Sequence, residues 1–200
     1  MPTTTRTRLA ALTLAAAITL TLAACGQAPW AGLEASSGTP TPTAKATITP
    51  IVNDLSAGSA RHELVAGDAA LTVDYSSSLS MDQWTASANK PVSFSVSAAL
   101  GTDDGQGVYL SKVSIVTAVS GPTGALDAPA TFVDQSSLPT GYVMKAPYSY
   151  GQTFVLSAVD PAATSVTLSF TYELLIQTTP TSSTFAKQTA SDQLTIAIAK

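Results

Sequence analysis

The chain has one cysteine, Cys25, and one histidine, His62. A single cysteine forms no internal disulfide, and one histidine with one cysteine cannot supply the three or four ligands of a zinc site. A catalytic triad would need a nucleophile and an acid around His62, and no motif places them there. We therefore predict a non-catalytic protein without a cofactor or zinc, in which His62 is a surface residue at the end of a strand.

Long apolar stretches are also scarce, and only one stands out. From Leu9 to Ala24 the chain is uncharged and consists mainly of Leu, Ala, Ile and Thr, and Arg6 and Arg8 precede it. This run is too short to span a bilayer but suits the apolar core of an export signal. It ends in the sequence Leu22-Ala23-Ala24-Cys25-Gly26.

These five residues resemble the lipobox of bacterial lipoproteins. In that family a diacylglycerol is attached to the cysteine, and a dedicated peptidase then cuts before it. The resemblance implies a signal peptide over residues 1–24, cleavage between Ala24 and Cys25, and a lipid anchor on Cys25. The protein would then sit on the extracytoplasmic face of a cell membrane, held through at least two acyl chains, which give stable anchoring.

The charge balance excludes a further class of partner. Without Arg6 and Arg8, seven basic residues face thirteen acidic ones, a formal charge of −6 over the remaining 176 residues. An acidic chain is a poor ligand for nucleic acid, so we predict no nucleic-acid partner.

Residues 25–49 are rich in Ala, Gly, Ser, Thr and Pro and include the run Thr39-Pro40-Thr41-Pro42-Thr43. Such a composition offers little apolar surface to bury and favours extended backbone. We predict a flexible tether there and a single folded domain over residues 50–200.

Apolar residues alternate with polar ones along most of this domain. The clearest runs are 71–75, 92–98, 113–119, 154–158, 166–174 and 194–198. Strict alternation predicts antiparallel strands with one buried and one solvated face. Turns rich in glycine, proline and aspartate separate the runs at fairly regular intervals. This pattern predicts an all-β, immunoglobulin-like or fibronectin-like sandwich of seven to eight strands, with a small β-barrel as the alternative. Ser80-Met81-Asp82-Gln83 has the spacing of a helical capping box.

Aromatic residues are the candidates for a binding surface. They are Trp84, Tyr142, Tyr148 and Tyr150, of which we interpret Trp84 primarily as a core residue. Residues 139–151 are the predicted long loop and contact surface. Asp103 and Asp104, followed by Gly105, fit a hairpin turn, with weak calcium binding as the alternative.

The Ala-rich, Thr-rich and lysine-poor composition resembles that of actinobacterial proteins, and the domain is loosely similar to uncharacterised envelope proteins of those bacteria. Taken together, the sequence predicts a membrane-anchored domain for binding or scaffolding in the cell envelope. Its partner would be another envelope protein or a wall polymer. A carbohydrate-binding or cell-wall-binding module with an aromatic contact surface is the alternative function.

Overall fold

The computed structural model describes residues 50–200 and shows two antiparallel β-sheets. Numbered along the chain, the strands are β1 (Ser59–Ala66), β2 (Ala69–Ser76), β3 (Lys90–Leu100), β4 (Val108–Gly121), β5 (Gly124–Leu126), β6 (Phe132–Gln135), β7 (Tyr142–Val143), β8 (Tyr150–Leu156), β9 (Ser165–Gln177) and β10 (Phe185–Ala197). A short 3-10 helix occupies Met81–Gln83. No helix in this part of the chain is long and apolar enough to cross a bilayer.

The first sheet has the order β1-β2-β3-β8, and the second has the order β10-β9-β4-β5, with β6 and β7 also pairing with β4. Strands β2-β3-β8 and β10-β9-β4 therefore stand where strands A-B-E and G-F-C stand in a constant-type immunoglobulin sandwich. The two sheets stay open at their edges and do not close into a barrel. The predicted immunoglobulin-like sandwich is thus confirmed, and the barrel alternative is wrong.

The alternation seen in the sequence becomes the division between core and surface. Along β9 the even-numbered residues from Val166 to Leu174 are fully buried, and the odd-numbered ones face outward. Phe94 of β3 meets Phe170 and Tyr172 of β9 edge-on, with ring centroids 5.6 and 6.1 Å apart. Each such side chain contributes roughly 1.5–3 kcal/mol through its removal from water, so these rows hold the two sheets together.

All six predicted runs overlap strands, and 154–158 and 194–198 extend past the ends of β8 and β10 by two residues and one residue. The strand count differs from the prediction. Seven strands have seven or more residues, whereas β5, β6 and β7 have only two to four. These short strands pair with β4, which at 14 residues is long enough to receive all three in succession. Their sequences are too short to show an alternation, so the pattern in the sequence could not reveal them.

Two local predictions were wrong in detail. Met81–Gln83 does form a helical turn, but the Ser80 side chain makes no capping hydrogen bond. The segment around Asp103 and Gly105 does not close a hairpin, because it joins β3 to β4 and these strands belong to different sheets. The Asp-Gly pair still marks a turn, since Gly105 has a φ of 101°, which glycine adopts without steric cost.

The antiparallel pairing defines two ends of the sandwich, about 40 Å apart along the 13-residue strands. The proximal end contains residues 50–58, 77–89, 157–164 and 198–200, and the distal end contains residues 67–68, 101–107, 144–149 and 178–184. The described chain starts at the proximal end. There, the Asp54 amide donates to the Thr195 carbonyl at 2.8 Å, and the Thr195 amide donates to the Asp54 carboxylate at 2.6 Å.

A buried lysine organises the proximal loop. Lys90 is fully buried, and its ammonium donates to the carbonyl oxygens of Thr85, Ala86 and Ala88 at 3.1, 3.4 and 2.6 Å. Burial lowers the pKa of this ammonium. The three carbonyls replace part of the hydration that the charge loses, which ties the loop to the start of β3.

Candidate functional site

The four aromatic candidates occupy different environments, and Trp84 lies furthest from solvent. Its side chain is 0% exposed, and its indole N–H donates to the Ser77 hydroxyl at 3.0 Å. The same hydroxyl donates to the Pro91 carbonyl at 2.7 Å, so the indole seals the core at the proximal end. Trp84 therefore belongs to the core and has to be removed from the proposed binding surface.

Tyr150 is also a core residue and not part of an open platform. It is 8% exposed, its ring stacks on Tyr142 with centroids 4.8 Å apart, and its hydroxyl donates to the Asp134 carboxylate. Burial and the neighbouring carboxylate raise the pKa of the Tyr150 hydroxyl. Because Tyr150 lies on β8 and Asp134 on β6, this contact joins the two sheets along one side of the sandwich.

Tyr148 remains as the exposed member of the tyrosine cluster, with 64% of its side chain accessible. It follows a turn closed by its own amide, which donates to the Lys145 carbonyl at 2.9 Å. The predicted long loop over 139–151 is in fact interrupted by β7 and ends in β8. Of its distal part, residues 144–146 are hydrogen-bonded to Val108 and Ala98, and residues 147–149 form the exposed segment. Tyr142 is half-buried, with part of its ring covered by Tyr150.

Lys145 fixes this distal loop to its neighbour. Its ammonium donates to the Asp103 carboxylate at 2.5 Å and to the Gln106 carbonyl at 2.8 Å. The bond from Lys145, together with the Gly105 amide, lowers the pKa of Asp103. The carboxylate proposed as a calcium ligand is thus engaged by a lysine, and residues 50–200 contain no cluster of three or more acidic, histidine or cysteine side chains that could hold a metal ion.

A second aromatic pair lies on the outer face of the six-stranded sheet near the distal end. Tyr109 of β4 meets Phe185 of β10 edge-on, with centroids 5.9 Å apart. Val143 and Leu175 flank Tyr109 on the paired strands, and Val143 is 47% exposed. This pair was not predicted from the sequence. The alternation Val108-Tyr109-Leu110 puts Tyr109 on the outer face, but nothing in the sequence places Phe185 beside it.

A charged row borders this aromatic pair. Glu173 accepts from Lys187 at 2.5 Å and from Lys112 at 3.3 Å, and the two lysines lie on the strands either side of β9. The hydrogen bond from Lys187, and to a smaller extent the one from Lys112, lowers the pKa of Glu173. The outer face therefore combines apolar rings with a fixed ion-pair network, which is a composition suited to contact with another molecule.

His62 lies in the middle of β1, and the prediction that it sits exposed at a strand end was wrong. Its Nδ1 is 2.7 Å from the Asp192 carboxylate, which also accepts a 2.7 Å hydrogen bond from Tyr75. The Tyr75 hydroxyl is 3.1 Å from that of Tyr172, and burial raises the pKa of both tyrosines. This network joins β1 and β2 to β9 and β10, and among the described residues none of its hydrogen bonds involves a serine or cysteine nucleophile.

Comparison with known proteins adds no family. The chain matches no protein-family model and no curated protein. Cys25, the predicted signal peptide and the predicted tether lie outside the described residues.

Proposed function

We propose that the protein is a lipid-anchored, non-catalytic domain that binds or scaffolds another component of the bacterial cell envelope. The lipobox-like sequence at Cys25 supports the anchor and the extracytoplasmic location. Diacylglycerol on Cys25 would tie the chain to the membrane, and the acidic charge of the domain disfavours a second, polybasic hold on anionic lipid.

The observation that carries the proposal is the position of the two ends. The described chain enters at the proximal end, where Asp54 is bonded to Thr195, and Tyr148 is exposed about 40 Å away at the distal end. An anchor that precedes residue 50 would attach at the proximal end and leave the distal end free of the tether. Rigid strands with an exposed loop at their far end are a common arrangement for binding domains.

The surroundings of His62 within residues 50–200 support the non-catalytic part of the proposal. The carboxylate of Asp192 is shared by His62 and Tyr75, and neither contact positions a nucleophile. The raised pKa of Tyr75 keeps its hydroxyl protonated, so it serves as a hydrogen-bond donor and not as a base.

Site-specific photo-cross-linking in intact cells tests the orientation and the partner together. A photoreactive residue replaces Tyr148 at the distal end, and a matched control replaces Ser87, which is exposed at the proximal end. We expect a discrete adduct from position 148 that is absent at position 87, and loss of membrane association in Cys25→Ser. Equal adducts from both positions, or membrane association that survives Cys25→Ser, would contradict the proposal.

The carbohydrate-binding alternative cannot depend on Trp84 or Tyr150 and needs other aromatic side chains. With Trp84 and Tyr150 buried, Tyr148 is the most exposed aromatic residue among residues 50–200, and Tyr142 and the Tyr109–Phe185 pair are half-buried. Retardation of the protein in an affinity gel containing soluble wall glycan, reduced in Tyr109→Ala and Tyr148→Ala, would support this alternative. Migration unaffected by the glycan would exclude it.

A further inference from the structure

One edge of the four-stranded sheet lacks the protection that the other edges have. Among residues 50–200, β8 pairs with β3 on one side and with no strand on the other, which is the place of strand D in the immunoglobulin order. The Thr153 amide donates to the side chain of Gln152 at 3.2 Å and therefore points away from β3. The free edge of β8 thus presents main-chain groups to solvent.

Edge strands in soluble proteins are normally blunted by charge, proline or short length. At the opposite edges, β1 carries Arg61, His62 and Glu63, and β10 carries Lys187 and Asp192. The β5–β7 edge consists of strands of two to four residues. In contrast, β8 has seven residues, Tyr-Gly-Gln-Thr-Phe-Val-Leu, with neither a charge nor a proline.

A groove runs along this unprotected edge. Its main part has a volume of about 530 Å³ and lies between β8 and residues 129–132, where Phe132 stacks on Phe154 with centroids 5.4 Å apart. A further cleft of about 320 Å³ adjoins it towards the proximal end and is lined by Asp127 and Asp160. The groove is therefore apolar and hydroxyl-lined along β8 and acidic at its proximal end.

We propose that this groove binds an extended segment of a partner protein, which adds to the sheet as a strand antiparallel to β8. Main-chain hydrogen bonds to the free edge would supply affinity, and alternate side chains would supply specificity. One face of the added strand meets Phe132 and Phe154, so this face carries apolar residues. The other continues the outer face of the sheet, where Ser93 and Thr153 share a 2.7 Å hydrogen bond, so it carries hydroxyl residues.

The acidic end selects the charge of this segment and the place of that charge in it. Asp127 makes no hydrogen bond or ion pair with any described residue, and no lysine or arginine lines either part of the groove. Because β8 runs from the distal to the proximal end, an antiparallel strand reaches Asp127 with its N-terminal residues. The bound segment therefore begins with lysine or arginine and continues with alternating apolar and hydroxyl residues.

A second copy of this chain fits the groove less well. If two β8 strands paired antiparallel, residues 147–150 of the other copy would lie near Asp127, and these are Pro, Tyr, Ser and Tyr. They bring no positive charge. The nearest lysine, Lys145, is already bonded to Asp103.

Peptide binding to the full-length protein in detergent tests the inference without relying on the membrane anchor or on the distal surface. The probe is a fluorescein-labelled peptide, Lys-Val-Thr-Val-Thr-Val-Ser, measured by fluorescence anisotropy. One comparison peptide has Glu in place of Lys, and a second is N-methylated at alternate residues so that it cannot pair with a strand. We expect saturable binding of the first peptide and at least tenfold weaker binding of the N-methylated one.

Protein variants separate the main-chain contribution from the charge. The Val155 N–H lies two residues from that of Thr153 and so points outward as well. Val155→Pro removes this N–H, and we expect at least tenfold weaker binding of the Lys peptide. Val155→Ala keeps the N–H and should bind the peptide within twofold of wild type. Asp127→Asn should weaken binding of the Lys peptide about two- to fivefold, as for an exposed ion pair, and should not weaken binding of the Glu peptide. Circular dichroism checks that each variant is folded. If Val155→Pro does not fold, comparison of the Lys peptide with its N-methylated form on the wild-type protein still tests whether main-chain pairing is needed.

Three results would overturn the inference. They are no saturable binding of the Lys peptide at millimolar concentration, equal binding of its N-methylated form, and a concentration-dependent dimer of the protein that Val155→Pro abolishes. The dimer would assign the edge to a second copy. Failure of the peptide to bind would leave the proposed lipid-anchored function unaffected, because that function is tested at Cys25 and Tyr148.

Discussion

Removal of one hydroxyl from Tyr75 tests whether the polar network between the sheets stabilises the fold. Tyr75 lies on β2 and is 1% exposed, and its hydroxyl donates to Asp192 of β10 at 2.7 Å. Tyr75→Phe keeps the ring and its packing on Phe170, 4.9 Å away between centroids, and removes only the hydroxyl. The substitution therefore removes the hydrogen bonds to Asp192 and Tyr172 and keeps the apolar contact.

The expected cost follows from the charge and the burial of the acceptor. A hydrogen bond to a charged group contributes about 1.5–3 kcal/mol, and a buried acceptor that loses a donor incurs a desolvation penalty of similar size. Asp192 is 12% exposed and retains its contact with His62, so we expect a loss of about 2 kcal/mol in the free energy of unfolding. For a domain of this length, that corresponds to a melting temperature lower by about 4–8 °C.

Urea unfolding of the full chain, followed by circular dichroism, measures this difference. Tyr109→Phe is the matched control, because it deletes the same atom from a hydroxyl that makes no hydrogen bond with the described residues, and it should change the stability by less than about 0.5 kcal/mol. If Tyr75→Phe and Tyr109→Phe were equally stable, the network would contribute nothing and the reasoning would be refuted. Retention of stability in Tyr75→Phe together with a large loss in Asp192→Asn would instead place the stabilisation in the His62 contact.

Two further predictions concern the proximal core and the distal loop. Trp84→Ala should lower the free energy of unfolding by about 3–5 kcal/mol in the same urea assay, because it leaves a cavity at a fully buried site. Tyr148→Ala is the control and should change this free energy by less than about 0.5 kcal/mol. Similar values for the two variants would argue against the core assignment of Trp84. The pKa of Asp103 is lowered in the folded state, mainly by Lys145, so its contribution is complete above the ordinary carboxyl pKa of about 3.9 and is lost as the pH falls through the lower folded value. Relative to intrinsic rates, amide hydrogen exchange at residues 101–107 should therefore stay slow down to about pH 4 and become faster below it. In Lys145→Met this increase in exchange rate should begin at a higher pH.

The regular part of the fold was predictable because a sheet leaves a period of two in the sequence. The run from Val166 to Leu174 alternates without interruption, and the same residues form the centre of β9 with one fully buried face. In contrast, β6 and β7 contain four and two residues. They exist because β4 offers them a long partner, and a pairing of this kind leaves no period in so short a segment.

The candidate site was predictable only in part, since exposure depends on what packs against a ring. Tyr148 and Tyr150 are two residues apart in the same predicted loop, yet one is 64% exposed and the other 8%. The difference arises from Asp134 and Tyr142, which cover Tyr150 and lie 16 and eight residues away along the chain. Lys90 shows the same limit, because a lysine in an alternating strand gives no sign that three carbonyls enclose it.

The sequence by itself determined the features that depend on local pattern. These are the lipobox-like motif with its single cysteine, the acidic charge and the alternation that makes the domain an all-β sandwich. Only the tertiary structure decided which residues meet across the two sheets, that His62 and Tyr75 share Asp192, and that β8 is left with a free edge beside an acidic groove. The physical reason is that a strand's pattern records which of its faces is buried, whereas the identity of its neighbours depends on contacts between residues up to 141 positions apart.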